Sequence, residues 1–168
     1  MNRVAAAVVA VILLGACGGG GSASSTGVVL TADQVIAALD VAGVAHRDNP
    51  SVPGLNQPDN CDAITPQPGE AGHVRELRRT QLVVDDDPDH DADILIESFD
   101  DAGHAKTVAG NRSDNAKQFD WPTILHENLY VEMQMPRKFL AGDLEQRVKA
   151  AVDTIHDQVA PPPPVLQC

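Results

Sequence analysis

Aromatic side chains are scarce in this chain: one Trp, one Tyr and three Phe among 168 residues. A folded core must therefore be assembled from Val, Ile, Leu and Ala. Basic residues are also few, 12 Lys and Arg against 24 Asp and Glu, a formal net charge of −12. A field of that sign repels phosphate backbones and anionic headgroups, so nucleic acid is excluded as a partner. Beyond residue 16 no apolar run approaches the ~20 residues that a membrane-spanning helix needs. There is no Cys-x-x-Cys, no His-Glu-x-x-His and no Gly-x-Ser-x-Gly. These absences remove the common zinc and nucleophile signatures, and no cofactor is expected.

What is present is concentrated at the N-terminus. Met1-Asn2-Arg3 is a short basic segment, and Val4 to Ala16 is an uncharged apolar stretch of 13 residues. As a helix it would span roughly 20 Å, short of the ~30 Å hydrocarbon core, which fits a signal peptide better than a permanent span. It closes on Leu14-Gly15-Ala16-Cys17, which resembles the lipobox of bacterial lipoproteins, with Gly15 where Ala or Ser is more usual. The resemblance implies cleavage before Cys17, lipidation of Cys17, and residence on the extracytoplasmic face of the cell membrane. The overall order of elements is also similar to that of small surface lipoproteins of actinobacteria, a likeness that implies no activity.

Three further expectations follow from that resemblance. Residues 17–27 carry four consecutive glycines and several serines, and read as a flexible tether with an r.m.s. reach of roughly 17 Å. Loss of Arg3 with residues 1–16 leaves 11 basic against 24 acidic residues, a net of −13. The chain has three cysteines, and lipidation of Cys17 leaves Cys61 and Cys168 to form one disulfide or remain as two thiols. A bridge would close 107 positions, for which chain entropy predicts about 4–5 kcal/mol.

Residues 28–168 suit one domain. Thr31 and Gln34 form a capping-box pair for a helix from Thr31 to Ala42, with Gly43 placed to end it. From Arg47 to Gly72, five prolines imply a long irregular segment with room for one short strand. Leu77 to Val84 and Ile94 to Phe99 read as strands, the second apolar enough to be central. Asp100 to Ala109 reads as a short helix capped by Asp100 and stopped by Gly110. Leu129, Val131, Met133 and Met135 alternate with polar neighbours as a strand, preceded by Ile124-Leu125 either across a turn at Glu127-Asn128 or as one long strand. An amphipathic helix spans Gly142 to Gln158, and Pro161 to Pro164 end it. This order predicts an α+β two-layer domain, a small mostly antiparallel sheet with helices on one face.

Candidate chemistry is thin. Asp85, Asp87, Asp89 and Asp91 lie in an acidic turn that is a weak divalent-cation candidate, but His90 and Ile96 stand where an EF-hand needs Gly and Glu. The six histidines, at 46, 73, 90, 104, 126 and 156, show no metal-ligand spacing and read as surface or loop residues. Glu97, Glu127 and Glu132 are nominal acid–base candidates, and Arg75, Arg78 and Arg79 form a basic patch on a strand. A hydrolase would require a pocket gathering two or more of His73, His90, His104 and His126 with carboxylates. The favoured expectation is a non-catalytic module that binds an envelope protein or small ligand through a concave site or an apolar patch of at least several hundred square ångström. A structural spacer would show neither.

Overall fold

The computed structural model describes residues 27–48, 73–85 and 90–160. Cys17, Cys61 and Cys168, with the lipobox, the tether and the proline run, lie outside the described residues. The described chain is an α+β domain in the order α1 (Ala32–Val41), β1 (His46–Asp48), β2 (Val74–Leu82), β3 (Ala92–Phe99), α2 (Ala102–Phe119), β4 (Thr123–His126), β5 (Leu129–Met133) and α3 (Leu144–Asp153). The five strands form one antiparallel sheet in the order β1-β2-β3-β5-β4.

The helices are divided between the two faces of this sheet rather than gathered on one, because β3 is apolar on both sides. Ile94 and Ile96 pack with Val131 and Met133 of β5 under Val35 and Leu39 of α1 and Val148 and Val152 of α3. Leu95 and Phe99 turn the other way, joining Leu77 and Tyr130 under Ala105 and Val108 of α2. Each large aliphatic side chain so buried contributes about 1.5–3 kcal/mol. A shift of register between Val74 and Glu76 lets Val74 and Leu77, three residues apart, face the same helix.

Helix α1 has the expected box: the Gln34 N–H donates to Thr31 Oγ1, and the Thr31 N–H donates to Gln34 Oε1 at 2.8 Å. Gly43 follows the helix at φ +64, where a side chain would be strained. Two expected helices have different lengths. Helix α2 passes through Gly110 to Phe119 and ends on Asp120 in the left-handed region at φ 55. Gly110 costs about 1 kcal/mol relative to Ala, and the second half of α2 offsets that by burying Ala116 and joining Arg112 to Glu97. Helix α3 stops at Asp153, not Gln158: Thr154 Oγ1 donates to the Ala151 carbonyl, and Val159 leaves to pair with Val29 in a two-bond antiparallel bridge. Glu127, at φ 49, and Asn128 form the tight turn between β4 and β5.

Candidate functional site

The functional geometry is at the end of the sheet where β2 begins and β3 finishes. Val74 pairs with Phe99 across the two strands, and the Asp100 N–H donates to the His73 carbonyl at 2.9 Å. That closure places His73 and Asp100, 27 residues apart, side by side. Asp100 is not the cap of α2. Asp101 is, its Oδ1 accepting the His104 N–H at 2.9 Å. Freed from capping, the Asp100 carboxylate lies between two imidazoles, with Oδ2 2.8 Å from His73 Nδ1 and Oδ1 2.7 Å from His104 Nδ1. Asp101 Oδ2 is 3.0 Å from the same His104 nitrogen. The two rings stack with centroids 3.5 Å apart and planes 15° from parallel.

The electrostatics around the cluster are mixed. Arg75 Nη2 comes within 4.0 Å of Asp100 Oδ2, and the first turn of α2 adds its positive dipole end. Partial burial would raise the Asp101 carboxyl, but hydrogen bonds from the His104 and Gly103 N–H groups and the nearby His104 ring outweigh it and hold Asp101 below its ordinary value. Asp101 is thus a fixed anion beside the histidine pair.

Beside the cluster lies a shallow depression of about 220 Å³, lined by Val28, Val29, Asp100, Asp101, Glu127 and Asn128 among others. Its size is below the ~300–1,000 Å³ of sites for drug-sized ligands, so it fits a small group or one partner side chain. Its floor is held by Asn128, which is 4% exposed. The Asn128 Oδ1 accepts the Leu30 N–H at 2.8 Å, while Nδ2 donates to the carbonyls of Leu30 at 2.8 Å and Phe99 at 2.9 Å. Ser98 Oγ donates to the same Leu30 carbonyl at 2.6 Å. These bonds tie the segment entering α1 to the ends of β3 and β5.

On the far rim a second group of potential ligands forms from His126, Glu127 and His156. The His126 Nε2 is 2.9 Å from the Ile155 carbonyl, and Gln158 Nε2 donates to Glu127 Oε2 at 2.9 Å. The His126 and His156 rings are tilted, with centroids 6.1 Å apart.

The remaining sequence candidates are dispersed. Asp87 and Asp89 lie outside the described residues. Asp85 Oδ2 meets His90 Nδ1 at 3.0 Å, and the buried Asp91 carboxylate lies 2.6 Å from Arg47 Nε. The described members of the acidic turn therefore face different partners. Glu97 and Glu132 both lie near the Tyr130 hydroxyl, while Glu127 sits in the β4–β5 turn. Arg112 contacts both oxygens of the buried Glu97 at 3.0 Å, and Glu132 accepts from the Tyr130 hydroxyl at 2.7 Å and from Gln134 Nε2 at 2.9 Å. Burial and the Glu132 carboxylate keep that phenol protonated. Arg78 is joined to Asp33 of α1, His46 meets Asp40 at 3.0 Å, and Trp121 stacks on Phe119 at 4.9 Å.

Sequence spacing overlooked the His73–Asp100–His104 group because assigning Asp100 as a cap concealed its i, i+4 relation to His104. Pairing of β2 with β3 is the signal that brings in His73: it sets the residue before one strand beside the residue after the other. No protein-family model, curated protein or solved structure matches the chain.

Proposed function

We propose that this chain is a lipid-anchored protein of the cell membrane, held on the extracytoplasmic face through Cys17, whose domain is a non-catalytic module for an envelope protein or small ligand. The anchor rests on the Leu14-Gly15-Ala16-Cys17 lipobox and the glycine-rich tether that follows it. No described helix is long and apolar enough to cross a membrane. The single observation that carries the binding reading is the polar-rimmed depression beside His73, Asp100 and His104, a concave site on a rigid sheet end. Its described wall offers carboxylates, two side-chain amides and backbone groups that can hydrogen-bond a ligand.

Crosslinking in intact cells tests this reading. The wild-type chain should capture a discrete envelope component, and Val28→Arg should abolish that capture, because Val28 is 54% exposed at the depression and the larger cation would occupy it. Equal capture by both proteins would contradict the assignment of the site. Turnover of envelope material by the purified chain, lost on His104→Ala, would favour a hydrolase instead.

A further inference from the structure

We propose that His73, Asp100 and His104 bind a divalent transition-metal ion, with Asp101 on the rim as a fourth donor. Zn²⁺ is the best match. One ligand atom from each of the three residues falls within 4.8 Å of the others, and all three are partly buried. The spacings between imidazole nitrogen and carboxylate oxygen, 2.7, 2.8 and 3.0 Å, lie a few tenths of an ångström inside the ~3.3–3.4 Å edges of a tetrahedral shell with metal–ligand bonds of about 2.0–2.1 Å. To admit the ion the stacked rings would have to separate and tilt so that both Nδ1 lone pairs converge on it.

The arrangement is built, not incidental. The three ligands come from the start of β2, the end of β3 and the first turn of α2, and the hydrogen bond from Asp100 to His73 fixes the first two. The stack turns both Nδ1 atoms toward one carboxylate. Both ring nitrogens thus lie within hydrogen-bond distance of the Asp100 carboxylate, so that three potential ligand atoms share one small volume. An ion at that point would draw on both imidazoles and the carboxylate together. Two imidazoles with one or two carboxylates suit Zn²⁺ and related first-row ions, whereas Ca²⁺ and Mg²⁺ favour oxygen-only shells. Arg75 and the α2 N-terminus oppose a cation, and the two carboxylates of Asp100 and Asp101 offset them. With Asp101 as fourth donor a tetrahedral shell is complete; were Asp101 to stay on the rim, the fourth position would go to water or to a group presented in the adjoining depression.

Calorimetric titration of the purified chain with ZnCl₂ provides the test. Wild type should bind one equivalent of Zn²⁺ and melt at higher temperature with it, while CaCl₂ has no such effect. His73→Ala and His104→Gln should each weaken Zn²⁺ binding by at least about tenfold, with circular dichroism confirming an unchanged fold. His156→Ala should bind as wild type. Failure of wild type to bind, undiminished binding by the His73 and His104 variants, or loss confined to His156→Ala would each overturn the assignment, the last by moving the ion to the second rim. Because the titration needs neither lipid nor partner, its failure is separable from failure of the anchor and of envelope capture.

Discussion

Replacing Asn128 by Ala should cost this fold more than any comparable polar substitution on its surface. The side chain satisfies the Leu30 N–H, the Leu30 carbonyl and the Phe99 carbonyl, and it is nearly inaccessible. Ser98 Oγ would still serve the Leu30 carbonyl, leaving two buried groups without partners, the Leu30 N–H and the Phe99 carbonyl. At about 1–3 kcal/mol for each orphaned group, allowing for partial relaxation, the expected loss is about 2–4 kcal/mol. That is a large share of the ~5–15 kcal/mol that holds a typical domain. Asn128→Asp should lose at least as much at pH 7: it keeps an acceptor for Leu30 but aims a second oxygen at two carbonyls. Urea unfolding of wild type and both variants measures the difference, with an unchanged m-value as the check that the unfolded states are comparable. Hydrogen exchange supplies a local readout, because the Leu30 amide should exchange faster in Asn128→Ala. A loss below about 1 kcal/mol, with Leu30 exchange unaltered, would refute the view that this amide holds the segment lining the depression.

Other perturbations test separate parts of the structure. Arg112→Ala should destabilise by about 3–5 kcal/mol, since it removes the cation that contacts both oxygens of the buried Glu97 carboxylate, whereas the Glu97→Leu, Arg112→Met double variant should recover much of that loss in the same unfolding assay. Gly110→Ala should raise stability by about 0.5–1 kcal/mol, because the position is interior to α2 and an added Cβ meets open space. Glu76 is raised above its ordinary value, chiefly by burial and despite the hydrogen bond its carboxylate accepts from Ala32. The folded state therefore holds the Glu76 proton more tightly than the unfolded state, so this residue's contribution to stability is greatest below about pH 4.5 and declines as pH rises through the raised value. Glu76→Gln should remove that slope, which paired thermal melts between pH 4 and pH 7 would reveal.

Local signals were legible wherever a residue's role depended on near neighbours. The Thr31–Gln34 box, the alternation through Leu129, Val131 and Met133, and the apolar run of β3 each announce their elements because period and capping act within a few residues. Boundaries set by distant contacts were not legible. Gly110 reads as a stop until Arg112 is seen to reach Glu97, and Val159 reads as helical until Val29 is found opposite it. The placement of α2 on the second face depends on Leu95 and Phe99 facing away from Ile94 and Ile96, a fact that a continuous apolar run does not encode. The histidine group has the same origin: Asp100 and His104 are close in sequence, but His73 joins them only through strand pairing.

The proposed role depends first on the anchor, and mass spectrometry of the chain recovered from bacterial membranes tests it most directly. The expected product is a mature protein that begins at Cys17, lacks residues 1–16 and carries a diacylglyceryl group on the Cys17 thiol. An intact N-terminus, or a mature chain with an unmodified Cys17, would contradict it.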